Sequence, residues 1–127
     1  MIFDYLKKKA LSFKYAFEGI RELWRKENNA KIHMFFTVAV LIMAIVLKIS
    51  SAEFCIIFLT IGAVWSAEAM NSAVERVVDL VTQEKRPLAK AAKDLAAGAV
   101  LILAISSILI GLVIFLPKIV AIFVPIS

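Results

Sequence analysis

The feature that most constrains this chain is a set of three apolar runs without a charged residue. These runs cover residues 34–47, 54–67 and 95–116. A helix needs about 20 residues to cross the hydrocarbon core of a bilayer, so only the third run is long enough alone. Flanking lysines extend the first run by placing their ammonium groups at the interfaces, and the second must continue through Glu68 toward Leu80. We predict spanning helices over residues 31–49, 54–81 and 93–117, with Pro117 at the end of the third.

The composition excludes an ordinary soluble domain. Of the 127 residues, 62% are hydrophobic, against roughly 45–50% apolar in a typical soluble protein. A chain of this length forms one domain, and so small a domain has too little interior to bury that many apolar side chains. A single cysteine, Cys55, provides neither a disulfide framework nor a cysteine-rich zinc site. We therefore predict one all-helical membrane domain over residues 1–127.

Basic residues indicate the orientation in the membrane. Eight lie in residues 1–33 and four in residues 82–94, whereas the opposite loops hold only Lys48 and Lys118. Because basic residues concentrate on the cytoplasmic side, we predict a cytoplasmic N-terminus and 82–94 loop, with the C-terminus outside. The first apolar run begins only at Met34, so we expect no cleaved signal peptide.

The segment before the first span has the pattern of an amphipathic helix. Apolar residues recur at spacings of three and four, at Phe3, Leu6, Ala10, Phe13, Phe17, Ile20 and Trp24. Such a stripe also suits a coiled coil. A basic helix with large aromatic residues directly before a span is more typical of a helix in the headgroup region. We predict an interfacial helix over residues 1–27.

The second span carries a polar strip. At 100° per residue, Glu68, Asn71, Glu75 and Asp79 fall on one side of the helix. Glu68 and Glu75 are about 10.5 Å apart along the axis, which predicts separate roles. Glu75 and Asp79 could instead sit at headgroup level, paired with Arg76, Lys85 or Lys93, and we favour this for Asp79. Glu68 is deepest and lacks a basic residue within one turn, so its carboxyl is suited to accepting a proton.

Further charges are expected at the cytoplasmic depth of this strip. Glu27 ends the interfacial segment, and the 82–94 loop supplies both acidic and basic residues. Carboxylates at such an interface can hold Mg²⁺, and lysines can neutralise nucleotide phosphates. The chain has no glycine-rich phosphate loop, so a standard nucleotide-binding fold is excluded. These residue types favour phosphoryl transfer without specifying it.

The same residues carry a resemblance to a known family. Residues 68–79 (EAMNSAVERVVD) and 87–100 (PLAKAAKDLAAGAV) closely resemble the signature of the small bacterial integral-membrane diacylglycerol and undecaprenol kinases. Residues 12–19 (SFKYAFEG) and 24–33 (WRKENNAKIH) match as well. The resemblance covers roughly residues 12–101. It implies a lipid kinase in the bacterial cytoplasmic membrane, with ATP as co-substrate and Mg²⁺ as cofactor.

The resemblance also implies a homotrimer with sites shared between protomers. Carried over by position, Glu68 would be the catalytic base, Asn71 would place the lipid hydroxyl, and Glu27 and Glu75 would hold the cation. The implied ATP-binding residues are Tyr15, Glu84, Lys85, Arg86, Lys93 and Asp94, and the implied lipid-binding residues are Ala30, His33 and Ala97.

Two positions depart from the diacylglycerol kinases of this family. His33 stands where those often carry Glu and is more similar to the undecaprenol kinases, and Ala30 replaces a usual Phe. We therefore predict undecaprenol slightly ahead of diacylglycerol as substrate, although His33 could also be an interface-anchoring imidazole. From other classes, a proton-coupled exporter would explain Glu68 alone, and a structural membrane subunit would leave the polar strip without a role.

Overall fold

The computed structural model describes residues 1–26 and 28–124, and these residues form helices without any strand. The helices are α1 (Ile2–Lys26), α2 (Asn28–Val46), α3 (Ser51–Val81) and α4 (Pro87–Phe123). The last three are long and apolar enough to cross a membrane. The predicted all-helical architecture, with three spans preceded by a further helix, is confirmed.

The boundaries of α2 and α3 follow from local hydrogen bonding. At the end of α2 the backbone N–H of Ile49 donates to the carbonyl of Ala44 at 3.2 Å, and Lys48 adopts a left-handed conformation with φ of 49°. This is the bond pattern with which many helices close. Helix α3 then begins with a capping box, in which Ser50 and Glu53 each accept from the other's backbone N–H. The turn between the two helices is therefore short and ordered.

Helix α4 does not end at Pro117, contrary to the expectation from the sequence. Its first residue is Pro87, and it continues through Pro117 to Phe123. Proline is favourable at a first helical position because its missing N–H has no partner there. At Pro117 only the bond to the carbonyl of Val113 is lost. Unwinding the helix would expose further backbone groups to an apolar surrounding, which costs more than the single missing bond.

The buried core lies at one end of the bundle. Ala44, Ile57, Ile114 and Phe115 form its centre, where the end of α2 meets the beginning of α3 and the last third of α4. Helices α3 and α4 have the most extensive contact of any pair. The polar strip of α3 lies toward the other end of the bundle, where Ala30, Glu68 and Ser72 are buried.

Helix α1 is joined to the spans through its C-terminal part. Leu23 is buried, and the Trp24 ring stacks on Trp65 of α3. Nearer the N-terminus the aromatic stripe remains exposed, with Phe3 86% and Phe17 68% accessible. A helix with this free apolar face suits the predicted position at the membrane surface.

Candidate active site

A carboxylate and an imidazole are paired inside the bundle. Glu68 of α3 is only 6% exposed, and its Oε1 lies 2.6 Å from Nε2 of His33 on α2. The sequence predicts Glu68 as the deep acid. It does not predict His33 as the partner, because the two residues are 35 positions apart in the chain. The antiparallel packing of α2 on α3 brings them together and gives Glu68 a partner that the sequence did not predict.

An aromatic cluster holds the imidazole. The Trp65 ring meets His33 edge-on, with ring centres 6.2 Å apart. Trp65 is itself fixed, because its Nε1 donates to Oγ1 of Thr37 at 3.1 Å and its face stacks on Trp24 at 6.1 Å. Three helices thus contribute to the position of one histidine. Trp65 has no role in the sequence prediction, and only its place one turn before Glu68 could have drawn attention to it.

One turn from Glu68, the next polar residues of the strip bind each other. Nδ2 of Asn71 donates to Oε1 of Glu75 at 3.1 Å. Within the described residues, Oδ1 of Asn71 is a buried oxygen without a hydrogen-bond partner. A buried acceptor of this kind is costly unless another group supplies the missing hydrogen bond. The polar strip predicted from helical periodicity therefore exists, and it has one open hydrogen-bonding position.

The last member of the strip binds across to α4. Nζ of Lys93 lies 2.5 Å from Oδ1 of Asp79, so the structure pairs this aspartate with one of the three basic residues considered from the sequence. On the same helix, Lys90 pairs with Asp94. In the preceding loop, Arg86 donates from Nε and Nη2 to Oε2 of Glu84, at 3.1 and 3.0 Å. The charged groups at this end of the bundle thus form a rim of ion pairs.

The remaining predicted site residues have varied positions. Tyr15 is 62% exposed on α1, and within the described residues it forms no hydrogen bond with the 82–86 loop. Ala30 is buried, whereas Ala97 and Lys85 are exposed. Glu27, predicted as a cation ligand, lies outside the described residues. The structure therefore brings the members of the strip into three contact groups, and Tyr15 stands apart from them.

The described residues include one of the two predicted cation ligands, Glu75. They include no group of three or more His, Cys, Asp or Glu side chains placed to hold a metal ion. Mg²⁺ keeps several waters and is commonly held by one or two carboxylates together with substrate phosphates. Glu75 is half-buried and engages Asn71 through only one of its oxygens. One carboxylate oxygen of this kind is compatible with Mg²⁺, since waters and phosphate oxygens would supply the remaining ligands.

An apolar cleft begins beside the paired residues. It has a volume of about 530 Å³ and lies between α2, α3 and α4, with His33 and Ile119 among its lining residues. Two of its hydroxyl groups already donate within their own helices, Thr60 to the carbonyl of Ile56 and Ser107 to that of Ala104. The walls therefore present an apolar surface, with polar groups concentrated near His33.

Helical spans with a polar site at one end define an integral-membrane protein, and comparison with known sequences assigns its family. The family model described as "Prokaryotic diacylglycerol kinase" matches residues 14–115. The chain belongs to the prokaryotic diacylglycerol kinase family, and it is a phosphotransferase of the lipid kinase type. Neither the exporter nor the structural subunit considered from the sequence agrees with this assignment.

Curated relatives bear both substrate names. The chain is 50% identical to "Undecaprenol kinase" of Bacillus subtilis (strain 168) over 84% of this chain and 87% of that protein. It is 39% identical to "Diacylglycerol kinase" of Synechocystis sp. over 90% of this chain and 66% of that protein. Identity to "Diacylglycerol kinase" of Escherichia coli (strain K12) is 27%, over 75% and 78% respectively.

Proposed function

We propose that this protein uses ATP and Mg²⁺ to phosphorylate the hydroxyl group of a membrane lipid alcohol, with undecaprenol favoured over diacylglycerol. The observation that carries this proposal is the position of Glu68. Its buried carboxylate binds His33, which lines the apolar cleft, and it lies on the same helix face as Asp79, which pairs with Lys93 of the charged rim. A lipid hydroxyl at headgroup depth and a nucleotide from the cytoplasm would meet at this place.

Glu68 is the general base in this proposal. The lipid hydroxyl oxygen attacks the γ-phosphorus of ATP, the bond from that phosphorus to the ADP oxygen breaks, and the hydroxyl proton passes to Glu68. Phosphoryl transfer of this kind depends on positioning and charge neutralisation and needs little covalent chemistry from the protein. Asn71, whose amide is held by Glu75, helps to place the hydroxyl.

Glu75 and Glu27 are the proposed ligands of Mg²⁺. When bound, the ion neutralises phosphate charge and orients the leaving group. Glu75 is held by Asn71, so a residue that positions the lipid hydroxyl is directly linked to a residue that holds the cation. This link would coordinate the placement of the two substrates.

The charged rim is the proposed ATP-binding region. Lys93, at the α3–α4 contact, provides positive charge for the phosphates, and Lys85 and Arg86 line the adjoining loop. Tyr15, Glu84 and Asp94 are assigned to the same region. Lysine and arginine side chains suit this role because their positive charges stabilise the negative charge of the phosphates.

Two observations favour undecaprenol as the lipid. The relative with 50% identity is named for that substrate. The cleft walls also provide few free donors, since the hydroxyls of Thr60 and Ser107 are bonded within their helices and Ala30 has no polar side chain. A site selective for diacylglycerol would gain from hydrogen bonds to its ester carbonyls, whereas a prenol has no such group. Diacylglycerol is the second candidate, because other relatives carry that name.

The test compares both lipids with the same purified protein. ATP, Mg²⁺ and either undecaprenol or diacylglycerol are supplied in identical micelles, with lipid expressed as mole fraction. We expect a higher kcat/KM for undecaprenol. A clear preference for diacylglycerol would reverse the choice of lipid, and a lack of phosphorylation of both would overturn the proposed function.

The proposal includes an assembly and an orientation. We propose a homotrimer in the bacterial cytoplasmic membrane, with the N-terminus and the 82–94 loop cytoplasmic and the C-terminus outside. The basic residues support this orientation, because they concentrate in those two segments. Single cysteines introduced at Gln83 in the loop and at the exposed Ser51 at the start of α3, in a Cys55→Ala background, should be labelled by an impermeant reagent from the cytoplasmic and outer sides respectively.

A further inference from the structure

The pairing of His33 with Glu68 suggests a role for His33 that family resemblance does not supply. We infer that His33 is a positioning residue that binds one oxygen of the Glu68 carboxylate and directs the other oxygen toward the lipid hydroxyl. This inference rests on the proposed role of Glu68 as base. It adds to the predicted lipid contact of His33 a second role, exerted through Glu68.

The first support is the cost of burying a carboxylate. Glu68 is 6% exposed, and an ionised carboxyl in an apolar surrounding requires a hydrogen-bond donor or an opposite charge. The Nε2 of His33, at 2.6 Å, is within hydrogen-bond distance of Oε1. This contact occupies one oxygen of the carboxylate. The second oxygen is then the one that would accept the proton of the lipid hydroxyl.

The second support is the rigidity of the imidazole. His33 is held against the edge of Trp65, which is bonded to Thr37 and stacked on Trp24. A side chain that only anchored the protein at a membrane interface would need no such bracing. An aromatic cluster built from α1, α2 and α3 limits the rotation of the ring, and through the hydrogen bond it limits the orientation of Glu68. General base catalysis depends on this orientation.

The third support is the position of His33 relative to the cleft. His33 lines the apolar cleft and also contacts Glu68. The hydrogen bond therefore joins a residue of the cleft wall to the buried carboxylate of Glu68. A donor at this place can fix the base next to a lipid bound in the cleft.

The experiment compares two substitutions of His33 in the full-length protein. His33→Leu removes the donor, whereas His33→Gln keeps an amide N–H at a similar reach. With saturating ATP, Mg²⁺ and lipid, His33→Leu should lower kcat by about 10–100-fold, the range typical of residues that orient a functional ligand. The KM values for ATP and lipid should change less than about threefold, and His33→Gln should recover most of the lost kcat.

A double-mutant cycle distinguishes this role from a structural one. In a Glu68→Gln background, His33→Leu should cause little further loss, because the group it positions is already absent. An equal loss in both backgrounds would overturn the inference, as would a raised lipid KM with unchanged kcat. If Glu68→Gln alone retained near wild-type activity, the proposed function of Glu68 would fail instead. Ser106→Ala is the matched control, because its hydroxyl bonds only to its own helix at Ile102 among the described residues.

Discussion

At the scale of single residues, the site is organised around the cost of placing acids in an apolar helix. An acidic residue at the centre of a spanning helix carries an insertion penalty of about 2.5–3.5 kcal/mol. In the structure each acid of the α3 strip has a polar partner: Glu68 binds His33, Glu75 binds Asn71, and Asp79 binds Lys93. The three carboxylates therefore lie on one helix face but have an imidazole, an amide and an ammonium group as their respective partners.

Replacing the proposed base should lower kcat without changing the fold. Glu68→Gln keeps the size of the side chain and an oxygen that can accept from His33, but it cannot take up a proton from the lipid hydroxyl. We expect kcat to fall by at least about 10²–10⁴-fold, the contribution of a positioned base. Steady-state kinetics measures the fall, and the helical content and oligomeric state should equal those of the wild type. Kinase activity near the wild-type level would remove Glu68 from the mechanism.

Replacing the proposed cation ligand Glu75 should weaken the apparent affinity for Mg²⁺. Glu75→Gln retains an oxygen to accept from Asn71 but loses the negative charge that attracts the ion. We expect a higher Mg²⁺ concentration for half-maximal rate, measured at fixed ATP. Glu27→Gln should act in the same direction. Glu18→Gln, on the exposed Lys14–Glu18 pair of α1, removes the same charge and serves as control. An unchanged Mg²⁺ dependence in Glu75→Gln would exclude it as a ligand.

At the scale of the helices, two ion pairs join α3 and α4 near their ends. Lys118 binds Glu53 at 3.1 Å, and Lys93 binds Asp79 at the opposite end. On α3 the acids are 26 positions apart, and on α4 the lysines are 25 positions apart. At 1.5 Å per residue both separations are about 38 Å, between the thickness of the hydrocarbon core and that of the whole bilayer. The two antiparallel helices therefore match in register, and each pair falls near one membrane surface.

The Glu53–Lys118 pair should contribute to stability and not to catalysis. Glu53 accepts from the backbone N–H of Ser50 and also from Lys118. Glu53→Gln retains the capping box but loses the ion pair, whereas Glu53→Ala loses both. We expect the thermal midpoint in detergent to fall by a few degrees in Glu53→Gln and further in Glu53→Ala. The kcat of folded protein should be unchanged.

Lys118→Gln is the matched variant for this pair. It should lower the midpoint about as much as Glu53→Gln, and the double variant should cost little more than either single one. Additive losses would show that the two residues do not act together. An unchanged midpoint in Glu53→Gln, Lys118→Gln and the double variant would mean that the pair contributes nothing to stability.

Lys93 of the Asp79–Lys93 pair should contribute to nucleotide binding. Lys93→Ala removes a positive charge from the rim, where phosphates arrive, while Asp79 remains 53% exposed at the side chain and so accessible to water. We expect the KM for ATP to rise about tenfold or more, which is the effect of losing one hydrogen bond to a charged group. The KM for lipid should change little. Lys14→Ala, on the exposed surface of α1, is the charge-matched control, and a selective rise in lipid KM would place Lys93 outside the nucleotide region.

At the scale of the whole molecule, the spans leave much apolar surface uncovered. Leu59, Leu101 and Val113 are each at least 60% exposed, and lipid or neighbouring copies must cover such side chains. Small residues at positions 96–99 of α4 would allow another helix to approach closely. These features support the proposed homotrimer, in which neighbouring copies contribute to one site.

The assembly can be tested by mass and by complementation. We expect native mass spectrometry in detergent to give three copies of the 14.1 kDa chain. Inactive Glu68→Gln and weakened Lys93→Ala chains, unfolded and refolded together, should regain activity if base and nucleotide residues of one site come from different copies. Each variant refolded alone is the control. Activity equal to the mean of the two controls would place each site within a single chain.

The main elements of the fold were predictable from sequence because the forces that determine them are local. An apolar run in a bilayer must form a helix to satisfy its own backbone, so three runs predict three spans. Helical periodicity alone places Glu68, Asn71, Glu75 and Asp79 on one face. The end of α4 was not predictable in the same way, because a proline in an apolar surrounding does not break a helix as it does in water. The roles of the site residues remain predictions.

What only the tertiary structure decided is which side chains meet. His33 and Glu68 are far apart in the chain, and their contact depends on the register of α2 against α3. The sequence offered several basic partners for Asp79, and the register of α3 against α4 selects Lys93. A helix pattern determines the face on which a residue lies, but not its height relative to a neighbouring helix. That height depends on turn geometry and on packing summed along whole helices, so it is a property of the assembled bundle.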